Sequence, residues 1–156
     1  MFDIFLRAYD PADNAEILRL FTETVHSVCL ADYTPAQADV WAPDGLDADA
    51  FCARFVIDYT LAAETGGVLA GIASLKDEGY FDMLYVHKDC QRRGVARVLA
   101  DAMEARAASL GLREIRTDAS ITARGFFEKR GYAVQKRNTI ARFGQVLVNF
   151  TMSKEL

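Results

Sequence analysis

The chain has 156 residues, 51% hydrophobic and 26% charged, with a mean hydropathy near zero. This is enough for one domain over residues 1–156 with its own core; it excludes a disordered chain, and no apolar run is long enough to make a membrane-spanning helix. A net charge of −4 argues against a dedicated nucleic-acid binder, yet residues 1–77 carry 4 Lys/Arg against 13 Asp/Glu while residues 78–156 carry 14 against 9.

In chain order, Phe2–Ala8 alternates as a first strand. Asp10-Pro11 is an N-cap followed by proline, opening a helix with Ile17, Leu20, Phe21, Val25 and Val28 on one face. Pro35–Trp41 reads as a short helix among loops, and a further helix is expected near Asp47–Ile57. Tyr59–Glu64 and Val68–Leu75 flank Gly66-Gly67 as a hairpin, and Tyr80–Val86 is the next strand. A helix is predicted from about Gly94 to Leu110, with Val95, Val98, Leu99, Ala102 and Met103 inward and Gly111 ending it. Glu114–Ala119 is a strand, Thr122–Arg130 a helix, and Tyr132–Thr139 and Gln145–Met152 two closing strands. The order implies a mixed α/β fold, a mostly antiparallel sheet with helices packed on it.

Cys29, Cys52 and Cys90 are widely spaced and form no CxxC pair, so they read as free thiols in a reducing compartment. The N-terminal residues lack the basic region and cleavage site of a secretory signal, so a cytoplasmic protein is expected. With two histidines, His26 and His87, no metal site is expected.

The segment Leu84–Arg97 carries the chemistry. A buried strand passes through a short polar loop and enters a helix at Gly94. The first-turn N–H groups of a helix have no intrahelical acceptor and sit at the positive end of its dipole. Gly94 and Ala96 leave them uncovered, and Arg92, Arg93 and Arg97 add positive charge, which makes a seat for a phosphate or pyrophosphate; a plain tight turn also explains the glycine. No GxxxxGK[ST] loop is present, which excludes a P-loop nucleotide site.

Gln91–Ala96 resembles the Q/R-x-x-G-x-G/A pyrophosphate loop of the GNAT acetyltransferases, the acyl-CoA-dependent N-acetyltransferase superfamily, and Leu84-Tyr85-Val86 resembles that family's fourth strand. Ser120–Tyr132 is similar to the family's N-x-x-A-x-x-F-Y-x-K-x-G-F helix, in the right order along the chain. Asp32–Gln37, Trp41-Ala42-Pro43 and the Phe-Phe-Glu-Lys-Arg-Gly run are similar to a YafP-like bacterial subgroup of that family.

The resemblance implies a sheet splayed between its fourth and fifth strands, with helices on both faces and acetyl-CoA in the splay. Pantetheine would pair with the main chain of Leu84, Tyr85 and Val86, and the pyrophosphate would rest on the amides of Gln91, Arg92, Arg93, Gly94, Val95 and Ala96. Ala123, Phe126 and Phe127 would form the opposite wall. Ser120 stands where family members carry an Asn that contacts pantetheine, and Phe127 where many carry a tyrosine that protonates the leaving thiolate. Cys90 stands where the family often has an aromatic, and direct transfer is expected rather than an acetyl-Cys relay.

Transfer to an amine needs a base for the ammonium proton and a donor for the developing oxyanion. A backbone amide near Leu84–Val86 would be the donor. The resemblance makes Tyr80 and Asp82 the candidate bases, since they stand at strand positions where family members often carry Glu or His and share one strand face; a surface-edge or cap-like role is the alternative for Asp82. Tyr33 and Trp41 lie in the segment that, by the resemblance to this family, would form the acceptor wall, where they either contact the acceptor or anchor the loop. The expectation is an N-acetyltransferase acting on a primary amine of a small molecule or peptide, with no nucleic-acid or membrane partner, as a monomer or homodimer. The alternative is a non-catalytic acyl-CoA-binding module, which Phe127 and Ser120 favour.

Overall fold

Two antiparallel sheets meet along a single seam. The computed structural model describes residues 2–156. The first sheet has the order β1-β2-β3-β4, from β1 (Phe5–Ala8), β2 (Tyr59–Thr65), β3 (Val68–Leu75) and β4 (Phe81–Val86). The second has the order β5-β7-β6, from β5 (Glu114–Ser120), β6 (Ala133–Arg142) and β7 (Gln145–Glu155).

The seam lies where β4 and β5 converge. Tyr80 forms a parallel bridge with Arg116, the Arg116 N–H donates to Gly79 O at 2.9 Å, and Thr117 Oγ1 donates to Phe81 O at 2.9 Å. Beyond those bonds the strands part, so the splay expected between strands 4 and 5 is present.

Helices cover both faces. On one side α4 (Val95–Ser109) and α5 (Ile121–Lys129) bury Val95, Leu99, Met103 and Phe127 in a cluster with Phe81, Ile115 and Met152. On the other, α1 (Asn14–Val25), α2 (Pro35–Trp41) and α3 (Ala48–Cys52) close over Ile72, Met83 and Tyr85. Gly71 lets α4 lie close on β3: a Cβ there would come within 2.9 Å of both Leu99 Cδ1 and Val95 Cγ1.

The structure adjusts several sequence-based boundaries, each for a local reason. Asp10 caps a 3-10 turn, Pro11–Asp13, that leads into α1, and α1 ends at Val25, so Val28 lies in the following 3-10 turn. The expected Asp47–Ile57 helix divides into α3, capped by Asp47, and a 3-10 turn, Ala53–Val56. Val56 and Ile57 are 69% and 85% exposed and offer no apolar stripe to hold a longer helix. On α4 the fully buried positions include Ala100 and Ala107, while Val98 and Ala102 sit at the margin. The last two strands are longer than expected because they pair with one another almost throughout.

Candidate functional site

Beyond its bridge to β5, the edge of β4 is open to the gap. The His87 N–H bonds Ala70 O, and the β3–β4 register opposes Tyr85 to Ile72 and Leu84 to Ala73. In an antiparallel ladder, hydrogen-bonded and non-bonded pairs alternate, so Tyr85 turns its main chain toward β3 whereas Leu84 and Val86 turn theirs toward the gap. The Val86 carbonyl already accepts Thr24 Oγ1 at 2.9 Å and Gln91 Nε2 at 2.8 Å. Leu84 is therefore the residue whose N–H and C=O face the gap free for an extended chain to pair with. Gln91 gives its side chain to anchoring the loop.

The loop after β4 is built around its amides. His87 Nδ1 accepts the Asp89 N–H at 3.0 Å and starts a 3-10 turn, Lys88–Cys90. Arg92 (φ 59°) and Gly94 (φ 88°) are both left-handed, and Gly94 offers α4 no side-chain cap. The first-turn amides of a 15-residue helix are thus uncovered, the arrangement that binds anions. A left-handed arginine is strained, and such residues concentrate where a backbone must present itself to a ligand. Arg93 is held over the Phe2 ring at 5.0 Å, and Arg97 reaches back beside Gly94. Val95 is buried and brings only its main chain to the loop. Burial pushes the buried Cys90 thiol upward and keeps it protonated.

Where the strands part, a cavity of about 250 Å³ opens between β4, β5, α2 and the β6–β7 hairpin. Of the residues singled out from sequence, it brings together Tyr33, Trp41, Asp82, Leu84, Tyr85, Ser120, Ala123 and Phe127. The Ser120 hydroxyl accepts the Ala123 N–H at 3.0 Å as the cap of α5, and its own proton remains available. Phe127 is buried edge-to-face against Phe81, Phe126 and Tyr132. Phe126 lies outside the cavity wall, under the Arg130 guanidinium. The Tyr33 hydroxyl donates to Val148 O at 2.6 Å and accepts the Ile121 N–H at 2.9 Å, tying α5 to β7, while its ring meets Trp41 edge-on. Both are wall and anchor at once.

Two carboxylates border the cavity. The Asp82 side chain is 13% exposed, and its Oδ2 lies 3.5 Å from Arg54 Nε; neither atom has a hydrogen-bond partner. Asp118, not singled out from sequence, accepts the Tyr80 hydroxyl at 2.8 Å on one oxygen and Thr151 Oγ1 at 2.6 Å on the other. Burial, and next the Asp118 carboxylate, push the Tyr80 phenol well above its ordinary range, so Tyr80 is a proton donor to Asp118 at neutral pH. Asn138 extends this network, donating to Thr151 and to Asn149 on the cavity wall. The wall also includes Ile140, Arg142, Leu147 and Val148 of the hairpin. Alternation in β5 marks Asp118 as outward-facing, but only the β5–β7 register places it beside Thr151. Among the described residues, no group of three or more His, Cys, Asp or Glu side chains is placed to hold a metal, and no helix is long and apolar enough to cross a membrane.

A family model described as an acetyltransferase (GNAT) domain matches residues 29–156. The chain is 30% identical over 152 residues to the uncharacterized N-acetyltransferase YafP of Escherichia coli (strain K12), covering 97% of this chain and 96% of that one. Its structure is similar to that of a GCN5-related N-acetyltransferase from Rhodopseudomonas palustris, with a TM-score of 0.94 and 39% identity over 100% of this chain and 98% of the other. The fold alone is shared with the PaiA N-acetyltransferase of Thermoplasma acidophilum in complex with coenzyme A, at a TM-score of 0.80 and 16% identity over 99% of both chains.

Proposed function

Because the chain belongs to the GNAT family of acetyltransferases, we propose that it moves an acetyl group from acetyl-CoA directly to a primary amine of a small molecule or peptide seated in the cavity beside Asp82. The observation that carries this reading is the continuity of three features: uncovered amides at the α4 N-terminus, the open main chain of Leu84, and a cavity bordered by Asp82 and Asp118. The residues fit acetyl-CoA. Left-handed Gly94 leaves room at the loop, three arginines surround it, and the parted strands leave a slot walled by Leu84, Ala123 and Phe127.

Bound acetyl-CoA supplies an activated acyl group. The Leu84 N–H, turned into the gap, is the backbone donor for a carbonyl oxygen placed there. Asp82, whose Oδ2 is buried against Arg54 and whose carboxylate lines the cavity, takes the amine proton; Tyr80 keeps its proton and holds Asp118 in place. Phe127 has no proton to give, and Tyr132 donates to Glu104 at 3.1 Å inside the core, so no aromatic hydroxyl of this segment serves as acid. The Ser120 hydroxyl is the polar hydrogen that α5 presents to the cavity. The three free, buried cysteines fit a reducing cytoplasm.

Phe127 favours one second reading, a module that holds acyl-CoA without turning it over. Thiol release with primary amines separates the two. Transfer predicts amine-dependent release that Asp82→Asn suppresses without weakening acetyl-CoA binding; a module predicts thermal stabilisation by acetyl-CoA with no release for any amine.

A further inference from the structure

The candidate acceptor wall combines aromatic and aliphatic side chains with two carboxylates. Tyr33, Trp41 and Tyr85 line the α2 side, and Ile140, Leu147 and Val148 line the hairpin side. The aromatics are locked: Trp41 meets Tyr33 at 5.1 Å and Tyr85 at 6.4 Å, and the Tyr33 hydroxyl is spent on two main-chain bonds. Tyr33 thus presents ring surface, with the Trp41 and Tyr85 rings beside it. Ile140 remains 39% exposed at the rim, an aliphatic side chain with water on one side.

On the β5 side stands Asp118, an exposed carboxylate each of whose oxygens holds a donor from a different strand segment, Tyr80 and Thr151. Asp82 faces the same space, with Arg54 as its neighbour at 3.5 Å. Arg54 does not project as an anion receptor: its guanidinium is packed over the Phe51 and Phe55 rings at 5.5 and 5.6 Å, and Nη2 rests on Met83 Sδ at 3.2 Å. An ammonium entering here meets two carboxylates. A carboxylate on the carbon next to that ammonium meets the same two; Arg54 is already paired with Asp82, and Arg142, the one arginine of the wall, stands on the exposed hairpin.

Resting on the acetyl-transfer reading above, we infer that the acceptor is a primary amine with an apolar, aryl or alkyl body and no carboxylate beside its nitrogen. The enzyme discriminates against α-amino acids by charge and against polyamines by the apolar wall. Asp118 is the residue that sets the first preference, and Ile140 contributes to the second.

The test is thiol release from acetyl-CoA with three acceptors: 2-phenylethylamine, phenylalanine and putrescine. Like charges brought together in the cavity predict kcat/KM for 2-phenylethylamine about 100-fold above phenylalanine. The lost apolar contact predicts about a tenfold advantage over putrescine. Asp118→Asn removes one of the two repelling charges and narrows the phenylethylamine-to-phenylalanine ratio by about tenfold, a change of selectivity that a purely structural defect does not produce. Ile140→Ser, on the solvent rim, raises KM for phenylethylamine and leaves putrescine unchanged. Phenylalanine or putrescine turned over as well as phenylethylamine overturns the inference while leaving acetyl transfer intact. Release with none of the three overturns this inference; the transfer reading falls with it only when a wider set of primary amines and peptide N-termini also gives no release while acetyl-CoA stabilises the protein.

Discussion

Gly94 holds φ at 88°, and there is room around it: a Cβ would touch only the Arg97 guanidinium, at 3.6 Å. The obstacle to a side chain there is conformational, costing about 1–2 kcal/mol in the left-handed region. Gly94→Ala is therefore expected to leave a folded protein whose loop relaxes away from its anion-presenting form. KM for acetyl-CoA should rise several-fold with kcat changed less, measured by steady-state thiol release. At Asp82 the expectation is reversed. Losing a general base lowers turnover by about 10²–10⁴-fold, so Asp82→Asn should show that fall in kcat with unchanged acetyl-CoA affinity by calorimetry. Both residues were legible in the sequence, Gly94 from its place at a strand-to-helix junction and Asp82 from its misfit with an apolar strand. Asp118 was not. Its role depends on Thr151 and Tyr80, 33 and 38 residues distant, and nothing local marks that meeting.

Elements are joined across the splay by one buried ionic cluster. Glu104 of α4 accepts Arg130 Nε at 2.9 Å, Lys154 Nζ of β7 at 2.8 Å and the Tyr132 hydroxyl at 3.1 Å. It ties the helix whose uncapped N-terminus is the proposed anion seat to the second sheet, where Asp118 sits. Burial alone would raise the Glu104 carboxyl, but Arg130, Lys154 and Tyr132 outweigh it and hold it below the usual carboxylate range. Its stabilisation is therefore present above the ordinary glutamate value near pH 4.3 and lost as pH falls through the depressed one. Glu104→Gln leaves two cations and a phenol with a poorer acceptor and should cost about 1–3 kcal/mol. That difference in melting temperature from wild type should be present at pH 7 and shrink toward zero well below pH 4. The elements themselves were mostly readable, because proline, capping residues and paired glycines punctuate the chain at Pro35, Asp47 and Gly66-Gly67. The acidic cluster partner and the length of the hairpin were not readable, since β6 is exposed along nearly its whole length and carries no burial pattern.

At the scale of the whole molecule, the acidic and basic halves of the chain meet at the site rather than forming separate parts. The basic half contributes Arg92, Arg93 and Arg97 to the loop before α4, and the acidic half contributes Tyr33 and Trp41 to the cavity wall, the two places proposed for the polyphosphate and the acceptor. Steering of a polyphosphate by that seat predicts an acetyl-CoA association rate that falls as salt rises, with little change in turnover at saturation. The site's aromatics also shape stability in alkali. Burial raises the phenols of Tyr33, Tyr80, Tyr85 and Tyr132, so the folded chain keeps protons that the unfolded chain releases near pH 10. Stability is complete below that value and falls as pH rises above it, visible as a decreasing denaturant midpoint between about pH 9 and 11. The most direct test of the central claim, that the splay delivers an acetyl group to an amine in the cavity beside Asp82, follows the acetyl group itself. Acetyl-CoA labelled in its acetyl carbon is mixed with enzyme and 2-phenylethylamine or another primary amine, and the products are resolved by mass. The account predicts label on the amine nitrogen as an amide, equal in amount to the thiol released and formed at least about 100-fold more slowly in Asp82→Asn. Label that stays on the thioester while acetyl-CoA still raises the melting temperature would contradict it.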